Sequence, residues 1–406
     1  MKTISTASQE WQRLCTRQTV RRRHIEERVR GIVDDVHQTG DAALLRYTRR
    51  FDGVSLKPKQ LQVTEAEISG AFQHLDPKFT LQLKHAIQNV QAFYMRPRSK
   101  PVRILDGDGV VLGEKFDPID RVGIYIPGGT ASLVSTVYMT AVPAKRAGVK
   151  RIILATPPRK NGTVDPHILA VASLLDVDEV YRMGGAQAIA AMAFGTKTIP
   201  KVDKIVGPGN AYVAEAKRQV FGLVDVDTIA GPSEVAVIAN RYSNTDYVIA
   251  DLLGETEHAG GLAFLITTSK ALARAARKQV RGGYCVVVKN LDEAVDVANQ
   301  LAPEHLEIMV RAPQKLARRI THAGAIFLGQ YSPVTVGDYV AGPSHVLPTG
   351  GSARTFSGLS IDDFVRRTHV ITYTKKGLER VREPLERLTA IEGLPRHYDS
   401  VKVRLT

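Results

Sequence analysis

Val122-Gly-Ile-Tyr-Ile-Pro-Gly-Gly129 is a short run of β-branched and aromatic residues that stops at a proline and two glycines. It predicts a strand covered on both faces that enters a tight turn, because continuous apolar runs of this length suit buried parallel strands and glycine lets the backbone bend sharply. A helical pattern follows over 135–147, then a second β-branched run over 152–156. The same alternation continues, with strands predicted at 122–126, 152–156, 179–181, 204–206, 235–238, 264–268, 284–288 and 306–310. Helices are predicted between them at 135–147, 186–194, 211–221, 247–257, 271–280 and 291–301. Strands alternating with helices are the signature of an α/β fold with parallel sheets.

Upstream, from about Trp11 to Asp52, apolar residues including Ile25, Val29, Ile32, Val33, Val36, Leu44 and Leu45 recur at helical spacing and predict a helical arm. A second helix is predicted around Phe79 to Phe93, and the proline-containing stretch from Arg96 to Pro101 interrupts the pattern. The tail from about Asp362 reads as helix-rich. Its last residues, Ser400-Val-Lys-Val-Arg-Leu405, alternate like an edge strand.

A chain of 406 residues exceeds one ordinary core, so two or three domains are expected. With 44% hydrophobic and 24% charged residues, the composition is that of a folded globular protein. No uninterrupted apolar stretch has the length of a spanning helix, and the N-terminus lacks a charged-then-apolar signal layout. The expectation is a cytoplasmic protein with no membrane partner. Cys15 and Cys285 are the only cysteines and form no CxxC pair, which argues against a disulfide framework or a thiolate zinc site.

The formal charge of +14 and the run Arg21-Arg22-Arg23 raise a nucleic-acid reading. Basic residues are nevertheless mixed with acids, as at Arg28, Arg30, Asp34 and Asp35, and no aromatic residues interleave with them. Solvated helix faces are the better reading, with no nucleic-acid partner. No solenoid repeat is present.

Three glycine turns share one design. Gly128-Gly129, Gly184-Gly185 and Gly207-Pro-Gly-Asn210 each follow a predicted strand and precede a helix, whose first N–H groups suit phosphate. None is a GxGxxG fingerprint, and such turns at the carboxyl ends of parallel strands serve folding as readily as binding. Glu255-x-x-His258 places a carboxylate and an imidazole on one face of a helical pattern, a half-site for zinc, although alone it reads as a surface pairing. Glu304-His305, after Pro303, joins two groups that burial tunes toward neutral pH, although alone it reads as a helix cap or loop acid. Asp338 and His397 alone are a loop acid and a tail residue.

These stretches, with Ala230-Gly-Pro-Ser-Glu234, Leu301-Ala-Pro-Glu-His-Leu306, Gly337-Asp-Tyr339, Ser344-His-Val-Leu-Pro-Thr349 and Glu392-Gly-Leu394, resemble the zinc- and NAD-dependent histidinol dehydrogenases. They run in that family's order along nearly the whole chain. The resemblance implies two Rossmann-like parallel-sheet domains with a helical N-terminal arm (1–20), a discontinuous main domain (21–121 with 235–361), a second α/β nucleotide domain (122–234) and a small tail domain (362–406). It further implies a domain-swapped homodimer in which the tail enters the neighbouring subunit's site.

By the same resemblance, Glu304 and His305 are catalytic, and Tyr125, Gln187 and Asn210 contact NAD⁺. Ser135, Ser233, His345 and Glu392 contact the substrate L-histidinol, with His305 and the metal ligands beside them. One Zn²⁺ per subunit is held by Glu255, His258, Asp338 and, across the dimer, His397. The implied reaction oxidises L-histidinol through L-histidinal to L-histidine, the last step of histidine biosynthesis. Two positions depart from the pattern: Glu255 stands where the family carries glutamine, and Val334 where some members carry an acid.

Glu255 adds a negative charge beside the metal, which favours as the alternative a paralogous zinc- and NAD-dependent dehydrogenase of another small amino or hydroxy alcohol. A binding protein without chemistry is a further reading, favoured by the basic charge and opposed by the presence of both Glu304 and His305. Zinc hydrolase chemistry is a poor reading, since HExxH is lacking and the glycine turns predict a dinucleotide that a hydrolase would not need.

Overall fold

The computed structural model describes residues 1–16, 23–95, 103–128, 133–229, 231–257 and 260–406. Arg21, Arg22, the stretch from Arg96 to Pro101, Gly129, Ala230 and His258 lie outside the described residues. The chain forms two compact units, Met1–Met95 with Ile119–Phe364 and Arg96–Pro118 with Val365–Thr406. In chain order the strands are β1 (Lys2–Thr3), β2 (Arg103–Leu105), β3 (Val111–Pro118), β4 (Arg121–Tyr125), β5 (Arg151–Thr156), β6 (Glu179–Arg182) and β7 (Lys204–Val206). They continue as β8 (Asp225–Val226), β9 (Glu234–Ala239), β10 (Leu262–Thr267), β11 (Tyr284–Val287), β12 (His305–Met309), β13 (Ala325–Leu328) and β14 (Val365–Thr372).

The first unit holds two parallel sheets, as the alternation predicts. One has the order β6-β5-β4-β7-β8. Ile153, Ala155, Tyr181 and Ile205 on one face share a core with helices Gly185–Phe194, Ala211–Val220 and Arg23–Thr39. The alternate residues Ile152 and Leu154 are equally buried, which explains the continuous apolar runs. Helix Gly185–Phe194 lies directly on β4: a Cβ on Gly123 would fall 2.6 Å from the sulfur of Met192, so only glycine permits the approach. Helix Arg23–Thr39 covers this layer with the buried stripe Ile25, Val29, Ile32, Val33 and Val36. Each such side chain contributes about 1.5–3 kcal/mol, which holds the arm in place.

The other sheet has the order β1-β11-β10-β9-β12-β13, again all parallel. Strand β9 sends Ala236 and Ile238 to a core with Trp11 and helix Leu291–Leu301. It sends Val235, Val237 and Ala239 to the opposite core, with helices Thr245–Glu255 and Lys270–Gln279. In β12, Leu306 and Ile308 join the first core and Met309 the second, so by strand alternation His305 and Glu307 point toward the second. No helix among the described residues is long and apolar enough to cross a membrane.

The second unit is an antiparallel sheet of order β14-β3-β2 followed by helices Lys375–Arg380, Arg382–Ile391 and Pro395–Leu405. The expectation of an edge strand over 400–405 is therefore corrected: this segment is helical. Its partly buried residues are Tyr398, Val401 and Leu405, spaced by three and four, while Val403 points to solvent. The tyrosine hydroxyl also donates to Glu386 at 3.0 Å. The apparent alternation placed a solvent-facing valine on the same face as buried neighbours, and packing against the preceding helix chose the helical period.

Candidate active site

The three glycine turns meet at the carboxyl ends of β4, β6 and β7. A Cβ on Gly128 or Gly184 would lie 2.2 or 2.6 Å from the ring of Pro157, so both turns crowd the loop after β5. At Gly207, φ is +113° and a Cβ would fall 2.1 Å from the carbonyl oxygen of Tyr125. The buried Tyr125 hydroxyl accepts the Gly185 N–H at 3.0 Å, and burial pushes its pKa up to about 12.

Gln187 is 1% exposed, and neither its amide nitrogen nor its oxygen has a hydrogen-bond partner. An unpaired buried amide costs about 1–3 kcal/mol, which marks a position suited to a ligand's polar groups. Asn210 caps helix Ala211–Val220 through Oδ1, which accepts the N–H groups of Tyr212 at 3.0 Å and Val213 at 3.2 Å. Ser135 is buried in the first turn of helix Val134–Ala147.

The acid and imidazole pair sits at the opposite polarity, where strands begin. Helix Leu291–Leu301 ends at Ala302, a non-glycine residue at φ +50°, a conformation that costs about 1–3 kcal/mol. Pro303 then prevents continuation of the helix, and the chain enters β12 with Glu304 and His305 buried.

Glu304 and Glu234 exchange hydrogen bonds across the strands. The Glu304 carboxylate accepts the Glu234 N–H at 3.0 Å, and the Glu304 N–H is donated to the Glu234 carboxylate at 3.2 Å. His305 Nδ1 lies 3.2 Å from the Glu234 carbonyl oxygen, which can only accept. That contact assigns one proton to Nδ1 and leaves Nε2, 3.6 Å from the Asp338 carboxylate, as the nitrogen that gains and loses a proton.

Burial pushes the Glu304 carboxyl up to about 7; the charges of Glu255 and Asp338 add to this, while His305 and the Ser233 hydroxyl oppose it. Burial works against a charge on His305, yet the Asp338 carboxylate, 3.6 Å from Nε2, together with Glu304 and Glu255, raises its pKa above the ordinary value. The partly buried His345 lies beside them: its Nδ1 is 2.9 Å from the Asp338 carbonyl and its Nε2 is 3.3 Å from the Thr136 hydroxyl. Removal from water lowers its pKa.

Glu255, Ser233, Asp338, Glu304, His305 and His345 thus form one electrostatic neighbourhood within the first unit. Glu255 is the last residue of helix Thr245–Glu255. Thr256 and Glu257 tighten into i−3 bonds at 3.0 and 3.2 Å, and His258 lies outside the described residues. His397, in helix Pro395–Leu405, and Glu392, at the end of helix Arg382–Ile391, belong to the second unit. Among the described residues no group of three or more metal-ligating side chains is assembled.

A family model described as histidinol dehydrogenase matches residues 15–405. The chain belongs to the histidinol dehydrogenase family. It is 45% identical over 399 residues to a histidinol dehydrogenase from Bacillus cereus, covering 94% of this chain and 92% of that protein. A histidinol dehydrogenase from Listeria monocytogenes is 43% identical over 399 residues, with 94% and 93% covered. The crystal structure of histidinol dehydrogenase from Elizabethkingia anophelis superposes with a TM-score of 0.93 at 35% identity, covering 100% of this chain and 98% of that one. This member of the histidinol dehydrogenase family is accordingly an oxidoreductase of histidine biosynthesis, from a family of NAD-dependent dehydrogenases.

Three contributors to this histidinol dehydrogenase site were not assigned from sequence. Glu234, which holds both members of the pair, lies in a quoted motif but earned no role there. Lys217 and Asp227 form a fully buried ion pair at 2.5 Å. The lysine also donates to the Gly207 carbonyl at 2.5 Å, and the aspartate accepts the Gly207 N–H at 2.7 Å. Both polar groups of that glycine are locked, which fixes the turn leading to Asn210. An isolated Lys or Asp in a helix or loop carries no local signal of such pairing.

Proposed function

We propose that Glu304 and His305 are the proton-transfer pair of an NAD⁺-linked, zinc-requiring oxidation of L-histidinol through L-histidinal to L-histidine. The observation that carries this reading is the Nδ1 contact of His305 with the Glu234 carbonyl, which leaves the buried Nε2, 3.6 Å from the Asp338 carboxylate, as the nitrogen that takes a proton. In the first oxidation Nε2 takes the hydroxyl proton of the alcohol. The Glu304 carboxylate then takes a proton from the water that adds to the aldehyde while His305 returns its proton to the aldehyde oxygen, and the neutral His305 takes the hydrate's proton in the second oxidation. A carboxyl with a pKa near 7 suits a base that works at neutral pH.

The donor set fits a divalent cation: Glu255 and Asp338 both press negative charge on Glu304 and His305, and a cation beside them offsets it. Glu255, His258, Asp338 and His397 of the partner subunit are the ligands we propose, with glutamate replacing the family's glutamine. When bound, NAD⁺ would supply the hydride acceptor and zinc would supply a Lewis-acidic anchor that orients the substrate. Tyr125, Gln187 and Asn210 address the dinucleotide, while Ser135, Ser233, His345 and Glu392 contact the substrate.

A cytoplasmic homodimer with exchanged tails completes the reading. It is supported by the second unit's exposed apolar residues Ile104, Leu112, Val370 and Ile371, which lie together on its sheet, a kind of patch that marks association surfaces. The test is NADH formed per L-histidinol consumed, with and without chelator. Two NADH, abolished by chelation, support the reading. No turnover by zinc-loaded protein rejects it in favour of another small amino or hydroxy alcohol.

A further inference from the structure

Glu307 lies two residues beyond His305 on the same face of β12 and is completely buried. Its Oε1 accepts the N–H of Val334, the first residue of helix Val334–Tyr339, at 2.9 Å. That short helix carries Asp338. Its Gly337 rests against the ring of Phe327, close enough that a Cβ would lie 2.6 Å from the ring. Phe327 in turn pairs in register with Glu307 and tilts against the His305 ring at 6.0 Å. The Asp251 carboxylate lies close enough to act electrostatically on that of Glu307. Asp251 sits one turn before Glu255 on helix Thr245–Glu255, on the same face.

Three segments therefore meet at one buried carboxyl: the strand with His305, the helix with Asp338 and the helix with Glu255. We infer that Glu307 is the positioning residue that sets the spacing among His305, Asp338 and Glu255. A purely structural role is a poor account of it, since taking a carboxyl out of water costs stability unless it is fully compensated. Burial, and after it the Asp251 charge, pushes the Glu307 carboxyl up to about 8. The inference rests on the reading of Asp338 and Glu255 as metal ligands.

Two substitutions remove the tie in different ways. Glu307→Leu removes the acceptor. Val334→Pro removes only the donor, at the first helical position where proline is tolerated and after a residue, Pro333, already extended at φ −69° and ψ 155°. Glu307→Gln keeps a carbonyl for Val334 and an amide for Asp251.

Zinc dissociation constants by chelator competition, kcat and KM for L-histidinol, and thermal midpoints are measured on the full-length protein. Glu307→Leu and Val334→Pro are expected to bind zinc about tenfold or more weaker and to lose kcat at saturating zinc, with the thermal midpoint retained. Glu307→Gln is expected to restore both. Parent-like zinc affinity and kcat in a folded Val334→Pro protein overturn the inference, as does a Glu307→Gln protein as impaired as Glu307→Leu. If Glu307→Leu does not fold, Val334→Pro decides. A parent that binds no zinc sinks the metal reading instead, and kcat of the variants alone then judges the positioning.

Discussion

The Nδ1 atom of His305 lies 3.2 Å from the carbonyl oxygen of Glu234, the residue that opens the neighbouring strand. A backbone carbonyl cannot donate, so this contact sets the imidazole tautomer whatever the side chain at 234 is. The base is built into the pairing of β9 with β12. Its partner acid Glu304 is tuned by the same burial.

The second oxidation is expected to depend on ionised Glu304. With a pKa near 7, the rate of L-histidinal oxidation should fall about tenfold per pH unit below that value. Glu304→Gln should retain the first hydride transfer and lose the second. Stopped-flow NADH formation from alcohol and from aldehyde separates the steps, and an unchanged aldehyde rate in Glu304→Gln would reject the role.

Glu255→Gln should move the acidic limb of that profile to lower pH. The Glu255 charge raises the proton affinity of Glu304, so its removal favours the carboxylate. Parallel pH–rate curves for parent and variant, displaced in this direction, are the expected result. Coincident curves would mean that the Glu255 charge does not reach Glu304.

Gln187→Leu should stabilise the fold by about 1 kcal/mol while weakening NAD⁺ binding up to about tenfold, because an unpaired buried amide opposes folding and a dinucleotide partner is lost. Denaturant unfolding and NAD⁺ titration read the two effects. Loss of stability with unchanged NAD⁺ affinity would assign the amide a structural role instead.

Lys217→Met leaves Asp227 buried without its cation and should cost about 3–5 kcal/mol. Because the pair also holds Gly207, KM for NAD⁺ should rise more than kcat falls. Steady-state kinetics at permissive temperature provide the check.

Stability should also carry the signature of Glu307. Its carboxyl rises from 4.5 to about 8 on folding, so it favours the folded state fully below 4.5 and loses that contribution as pH climbs through about 8. Thermal midpoints of the parent should decline across this window, and Glu307→Gln should flatten the decline.

Most of the alternation of strands and helices from Val122 to Val310, the glycine turns and the Glu304-His305 pair were legible along the chain, whereas helix Pro166–Leu174 and strands β8 and β13 were not predicted. Parallel strands covered on both faces write continuous apolar runs, and turns and caps use residues only a few positions apart, so a linear reading captures them. Local pattern misled in the tail, whose valines alternate although contact with a neighbouring helix selected a helix.

What the sequence by itself determined is the α/β class, the family and the chemical types gathered for the reaction. What only the tertiary structure decided is which groups face each other: Glu234 beside Glu304 across 70 positions, Lys217 and Asp227 around Gly207, and Glu307 beneath Val334. Strand register and helix docking bring those groups together, and both are set by the summed burial of many side chains rather than by any short stretch of sequence.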